Sequence, residues 1–294
     1  VTSGLAATVL LNGLTLAALY FIVASGFSLI FGLMRTVNMA HGSLYMLGAY
    51  LGYAVFEPMY DVDSPYAWYA GILVAVAAAA AFGLLMQVTL LGWMQGQELR
   101  QALVTIGVSI IVADQLLAYF GGTSRQFFAP DIIFGSTTVP LVGRYPTFRL
   151  FQIGVAVAVG VALWLVLNRT KLGLMIRAGV DDRQMLAATG VNVPLVSLAV
   201  FALGAGLAGL GGVIGSTAQP LVQGVDARFL LTSLVVVIVG GMGSIPGTAL
   251  GAVLVGVAEQ VGQALFPTYS VILTFMIMAA VLALRPQGIL GRPA

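Results

Sequence analysis

Acidic and basic residues are missing from 1–34, 36–56, 64–97, 150–168, 184–225, 229–258 and 260–284. Within these windows the apolar positions run on without alternating at period two, so they predict helices and not the strands of a barrel. Most reach the roughly 20 residues that a helix needs to cross about 30 Å of hydrocarbon. Pro, Gly and charge divide them into spans near 5–33, 37–56, 66–90, 101–120, 150–168, 192–218, 229–242, 246–265 and 269–284. The seventh is short for a crossing, which leaves eight or nine spanning helices and predicts a broken or re-entrant one. The expected fold class is all-α: one polytopic transmembrane bundle over 1–294.

Composition agrees. With 60% hydrophobic and 7% charged residues, and a mean hydropathy of +1.05, the chain cannot build an ordinary aqueous surface, about a quarter of which is charged. The absence of Cys excludes a disulfide, a thiolate nucleophile and a cysteine metal site, and the single His41 excludes a histidine cluster. A net charge of +2 is too slight to suggest nucleic acid as a partner. No basic region or clear cleavage site accompanies the first apolar run, so it is read as a retained helix rather than a signal peptide.

Charge also orients the spans. If nine cross and 168–190 is cytoplasmic, the N-terminus lies outside and the C-terminus inside. Eight basic residues (Arg35, Arg100, Arg169, Lys171, Arg177, Arg183, Arg285, Arg292) then fall inside and four (Arg125, Arg144, Arg149, Arg228) outside. That is the direction of the positive-inside rule. The acidic stretch 57–63 and the long segment 121–148 fall outside; Gly, Pro, Ser and Thr break up 121–148, which predicts a loop, cap or hairpin at the membrane surface. It either joins two helices or also docks a protein.

Candidate chemistry is sparse. An intramembrane hydrolase needs a nucleophile with a base, or a set of metal ligands. Here the only imidazole is His41, there is no HExxH, and the carboxylates expected to face the bundle, Asp114 and Glu259, stand alone. Those two would serve an ion-coupled carrier or channel, with Glu259 near Gln260 and Gln263 the better candidate for a polar path; the favoured reading of each is a satisfied contact inside the bundle. Glycine is more informative. Small residues at four-residue spacing, as in Gly204/Ala208/Gly212, Gly247/Gly251 and Gly48/Gly52, let helices approach closely in lipid.

Two stretches open new helices after apolar runs, His41-Gly42-Ser43 and Pro246-Gly247-Thr248. They are read either as helix breaks whose free N–H groups face a cavity, or as tight interfacial turns capped by Asn38 or Ser43. The charged run "NRTKLGLMIRAGVDDRQMLAATG", 168–190, holds the remaining question. Within it "DDRQMLAATG" predicts a helix of two to three turns with Asp181 and Asp182 in the first turn, where the helix dipole favours them. Met185, Leu186 and the alanines give it an apolar stripe, and Arg177 and Arg183 are expected to remain available. So small a helix gains little on lipid alone and fits better in a groove of a soluble partner.

These residues carry a resemblance. "NGLTLAALYFIVASGFSLIFGLMRTVNMAHGSLYMLGAYLG" (12–52), "RAGVDDRQMLAATGVN" (177–192), "TSLVVVIVGGMGSIPGTALGAVLVGVAEQ" (232–260) and "LRPQGILG" (284–291) resemble LivH-type permease subunits of branched-chain amino acid ABC transporters. The first stretch has an Asn-Gly start at Asn12 and the turn built from Asn38, Ala40, His41 and Gly42. The resemblance implies an importer at the bacterial cytoplasmic (inner) membrane. In it this chain would pair with a homologous LivM-type permease, two cytoplasmic ATPase subunits and an extracytoplasmic solute-binding protein. The chain itself would hold no cofactor and catalyse nothing; ATP and Mg would be bound by the ATPase subunits. Arg177, Asp181, Asp182, Arg183, Ala187 and Gly190 would form the coupling helix, with Asp181 where the family usually has Glu. Asn12, Asn38, His41, Gly42, Ser43, Gly247, Thr248 and Glu259 are the candidates for the translocation path. Branched-chain amino acids, urea, short amides and other carboxylates remain open as substrates.

Overall fold

The computed structural model describes residues 3–34 and 37–291; Arg35 and Arg292, both counted above as inner charges, lie outside the described residues. The helices in chain order are α1 (Ser3–Met34), α2 (His41–Tyr60), α3 (Ala67–Thr89), α4 (Glu98–Phe120), α5 (Thr147–Arg169), α6 (Lys171–Asp181), α7 (Arg183–Ala188), α8 (Val193–Ala218), α9 (Val225–Gly240), α10 (Ile245–Leu265) and α11 (Ser270–Leu284). Between α4 and α5 a two-stranded antiparallel hairpin, β1 (Ser136–Val139) and β2 (Gly143–Pro146), pairs Thr137 with Tyr145. The protein is an all-α membrane bundle with this small hairpin at one end.

Six described helices, α1, α3, α4, α5, α8 and α10, are long and apolar enough to cross a membrane, fewer than the eight or nine expected from composition. The shortfall has a local cause. α9 has 16 residues and α11 has 15, and the 20 residues of α2 mix His41, Ser43, four tyrosines and Glu57 into the apolar run. These three are too short or too polar to qualify alone.

α1 and α8 form the buried spine. Their small residues bring backbones together: Gly26 meets the main chain of Gly204, and Gly48 on α2 meets Gly209. A side chain at either contact would force the helices apart, and close approach is the main source of helix association in lipid. α2 runs parallel to α8, with Gly48 beside Gly209 and Gly52 beside Val213, while α3 returns antiparallel to both. Side chains of α1, α2, α8 and α9 fill the core, including Tyr20, Phe27, Leu44, Tyr50 and Phe201.

α2 starts beside the middle of α1. The His41 imidazole Nε2 lies 3.0 Å from the Val23 carbonyl, a level about 16 Å back along α1 from Met34 at 1.5 Å per residue. α9 starts at the same level from the other direction: Gly42 packs on the Asp226 carbonyl, and the Phe229 ring stacks on Tyr45 at 4.0 Å. The two helices then run to opposite ends of the bundle. α9 therefore begins at Val225, before the charge-free stretch that starts at 229.

Candidate functional site

At the hairpin end, α1, α5, α10 and the start of α9 enclose a cavity of about 390 Å³ whose wall includes Asn12, Thr15, Arg149, Gln152, Arg228 and Gln260. The apolar stripe of α1 turns polar here, because Asn12 and Thr15 share one helical face. Asn12 Oδ1 accepts from Arg149 Nη1 at 3.0 Å and from the Tyr145 hydroxyl at 2.8 Å. Tyr145 also lies 3.2 Å from the Thr15 hydroxyl. The hairpin thus holds Asn12, and Asn12 holds Arg149 against the cavity.

The second cation is compensated. Arg228 donates to Glu259 Oε1 at 3.1 Å, Gln263 donates to the same oxygen at 3.3 Å, and the Tyr20 hydroxyl donates to Oε2 at 2.6 Å. Glu259 is thereby a satisfied carboxylate that joins α1, α9 and α10, beside the cavity lined by its neighbours Gln260 and Gln263. Asp114 takes no part. It is exposed on α4, which corrects the expectation that it faces the bundle. α4 is largely exposed, packing mainly on α2, so one side of it is left to the surroundings.

The other path candidates lie elsewhere. Asn38, His41, Gly42 and Ser43 gather at the mid-level start of α2. Asn38 Oδ1 accepts from the Ala40 amide at 3.0 Å, and Ser43 donates to Ser109 on α4 at 3.0 Å. His41 is completely buried; Nε2 donates to the Val23 carbonyl, so Nδ1 is the acceptor, and among the described residues it has no partner, as is also true of Asn38 Nδ2. Gly247 and Thr248 are at the far end of α10. Gly247 packs on Gly240 and receives the Ser244 cap at 3.1 Å, and Thr248 donates to the Ser244 carbonyl at 2.9 Å. The "LRPQGILG" stretch closes this junction, since the amides of Ile289 and Leu290 donate to the Val239 and Gly240 carbonyls at 2.9 Å.

The charged segment forms two helices, not one. α6 ends at Asp181; Asp182 leaves helical geometry and caps α7 through bonds to the Gln184 and Met185 amides at 2.8 and 2.9 Å. This corrects the expectation of a single helix with both aspartates in its first turn. Arg177 and Arg183 are also engaged: Arg177 donates to Asn168 at 2.6 Å, and Arg183 to Gln95 at 3.0 Å with Ser197 at 3.5 Å. Leu186 is the buried anchor of α7, while Met185 is 65% exposed and Ala187, Ala188 and Gly190 are exposed.

Gln152, Tyr145 and Tyr20 are site residues that pattern reading passed over, and Arg149 and Arg228 entered only as outer charges. A usable signal existed for Arg228, a lone cation between two long uncharged windows, and for Arg149, the last charge before another. Among the described residues no three His, Asp or Glu gather as metal ligands. The wall contains no nucleophile paired with a base, so what it offers is polar binding to a small solute.

The family described as branched-chain amino acid transport system / permease component matches residues 9–282. The high-affinity branched-chain amino acid transport system permease protein BraD of Pseudomonas aeruginosa is 29% identical, over 97% of this chain and 95% of the relative. LivH of Escherichia coli is 26% identical, over 96% and 94%, and LivM of the same organism 27%, over 94% and 68%. The solved structure PsaBC from Streptococcus pneumoniae in complex with Fab is similar at a TM-score of 0.49 and 13% identity, over 92% of this chain and 87% of that one. The chain belongs to the branched-chain amino acid transport permease family, as a multi-pass inner-membrane subunit of an ABC importer that transports and does not catalyse.

Proposed function

We propose that this chain carries branched-chain amino acids, or closely related small amides or carboxylates, and that ATP is hydrolysed by partner subunits. The observation that carries the reading is the family match over residues 9–282. Its relatives are named for branched-chain amino acid transport, and similarity to both LivH and LivM supports a second, homologous permease as partner. Two cytoplasmic ATPase subunits and an extracytoplasmic binding protein complete the assembly, and ATP with Mg belongs to the ATPases.

In this arrangement α7 faces the cytoplasm and the hairpin faces outward, as a cap over 121–148. Asp182, Ala187 and Gly190 form the coupling surface with Met185, and Arg177, Asp181 and Arg183 hold its base. Nine crossings result when α2 and α9, which start side by side at mid-level and run to opposite ends of the bundle, are each counted as a broken span. Such a break is tolerated at membrane depth where protein covers it. Asn12 and the neighbourhood of Glu259 line the outer path, and Asn38, His41, Gly42 and Ser43 form its mid-level constriction, with Gly247 and Thr248 at the inner junction.

The ion-coupled alternative loses support because Glu259 is saturated and Asp114 is exposed on α4. The test is leucine uptake by proteoliposomes holding the complete transporter and its binding protein. Uptake is expected only with ATP on the ATPase side. Uptake by this chain alone, driven by an imposed ion gradient without ATP, would overturn the proposal.

A further inference from the structure

We propose that Arg149 and Gln152 form a specificity site within the cavity, reading a carboxylate together with an adjacent N–H donor in the transported solute. The proposal rests on the function above and deepens it, because it gives the permease its own selectivity beyond that of a delivery protein.

Arg149 and Gln152 are three residues apart near the start of α5, so they share a face, and both line the cavity. Arg149 is the uncompensated cation of the wall. Among the described residues the two salt bridges are Arg125 with Glu57 and Arg228 with Glu259, while Arg149 is held only by the neutral Asn12 carbonyl. The positive end of the α5 dipole adds to its attraction for an anion. The guanidinium also keeps further N–H groups in the planar fork that matches a carboxylate.

Gln152 supplies the second requirement. The residue is 3% exposed; Nε2 donates to the Thr15 carbonyl, and Oε1 has no partner among the described residues. That bond fixes the amide orientation, because the flipped form would set two carbonyl oxygens against each other. A buried acceptor without a donor is costly; Gln152 lines the cavity with Oε1 shielded just behind its surface, so a donor-bearing ligand answers it by settling into the wall. A simple anion would satisfy Arg149 and leave Gln152 unanswered. An amine would satisfy Gln152 and be repelled by Arg149. An α-amino carboxylate answers both, with its carboxylate on Arg149 and its ammonium on Gln152 Oε1. Arg228 cannot replace Arg149 in this role while Glu259 holds it.

The test uses the complete transporter in nanodiscs without binding protein and measures equilibrium binding of leucine, leucine methyl ester and 4-methylpentanoate. The intact complex is expected to bind leucine about tenfold or more tightly than either analogue, the size of one lost charge-assisted hydrogen bond. Arg149→Gln should remove the preference over the methyl ester, and Gln152→Leu the preference over 4-methylpentanoate. Arg149→Lys should keep the carboxylate preference, and co-purification with the ATPase subunits shows that each variant is folded. A general structural defect would weaken all three probes in parallel, and that result overturns the proposal. So does an intact complex that does not discriminate among the probes. Failure of the intact complex to carry leucine even with its binding protein and ATP would instead strike the function on which the proposal rests.

Discussion

The guanidinium of Arg228 and the carboxylate of Glu259 meet at 3.1 Å and tie the first turn of α9 to α10, with the Tyr20 hydroxyl on the second carboxylate oxygen. The Glu259 side chain is 12% exposed and that of Arg228 48%, so the carboxylate is the more deeply committed partner. Neutralising it strands the cation beside the cavity and leaves one amide oxygen for Arg228, Gln263 and Tyr20, which now share two carboxylate oxygens.

Glu259→Gln should therefore destabilise the bundle by about 1–3 kcal/mol, the usual cost of leaving a buried polar group unanswered. The double variant Arg228→Gln with Glu259→Gln should recover part of that loss, because no unpaired charge remains. Thermal unfolding in detergent, followed by intrinsic fluorescence, measures both; a double variant less stable than the sum of the singles would refute the coupling.

Close approach at the start of α2 makes a prediction with an internal contrast. Gly42→Ala would set a methyl group on the Asp226 carbonyl, a backbone atom that cannot swing aside. A loss of about 1–3 kcal/mol is expected from overpacking of this kind. Gly107→Ala on α4 meets nothing within 4 Å and should be neutral or stabilising, by up to about 1 kcal/mol of helix propensity. Equal behaviour of the two variants in size-exclusion and melting assays would show that the contact does not limit packing.

The buried imidazole allows a further one. His41→Phe keeps a ring beside Phe27, at a centroid distance of 5.3 Å, but removes the donor to the Val23 carbonyl. The expected cost is about 1–3 kcal/mol. His41→Gln, which retains an N–H, should lose less; the order of the two melting temperatures decides the point.

For α7, Met185→Glu places a charge on the exposed apolar surface without touching the buried Leu186. ATP hydrolysis stimulated by loaded binding protein should fall about tenfold or more, as for loss of a central interface residue. Asp182→Ala should have a milder effect, about 1 kcal/mol from the lost cap of the helix. Full stimulation in the Met185→Glu complex would remove α7 from the coupling surface.

Much of the architecture was legible along the chain. Charge-free windows marked most of the long helices, α4 with Glu98, Arg100 and Asp114 excepted, and the small-residue spacing marked the packed faces of α2 and α8, where Gly48 meets Gly209, because lipid allows few polar interruptions and close packing requires small side chains. Glu259 was found because a charged side chain in an apolar run is conspicuous, and Asn12 because its Asn-Gly start resembles that of the permease family. Arg149 and Gln152 were not: at the end of a helix a charge and an amide look like interfacial residues. The break at Asp182 was hidden for a similar reason, since an aspartate suits a first turn and a cap equally well.

Hydrophobic pattern alone thus determined that the chain is a helical membrane bundle, where its helices run, and which stretch between them is charged. Tertiary structure alone decided that α2 and α9 begin side by side at the level of Val23, that Glu259 is paired while Arg149 is not, and that Asp114 is turned outward. The division has a physical basis. Transfer of a segment into lipid is a sum over its own residues, whereas the pairing of a charge depends on which distant helix supplies the partner.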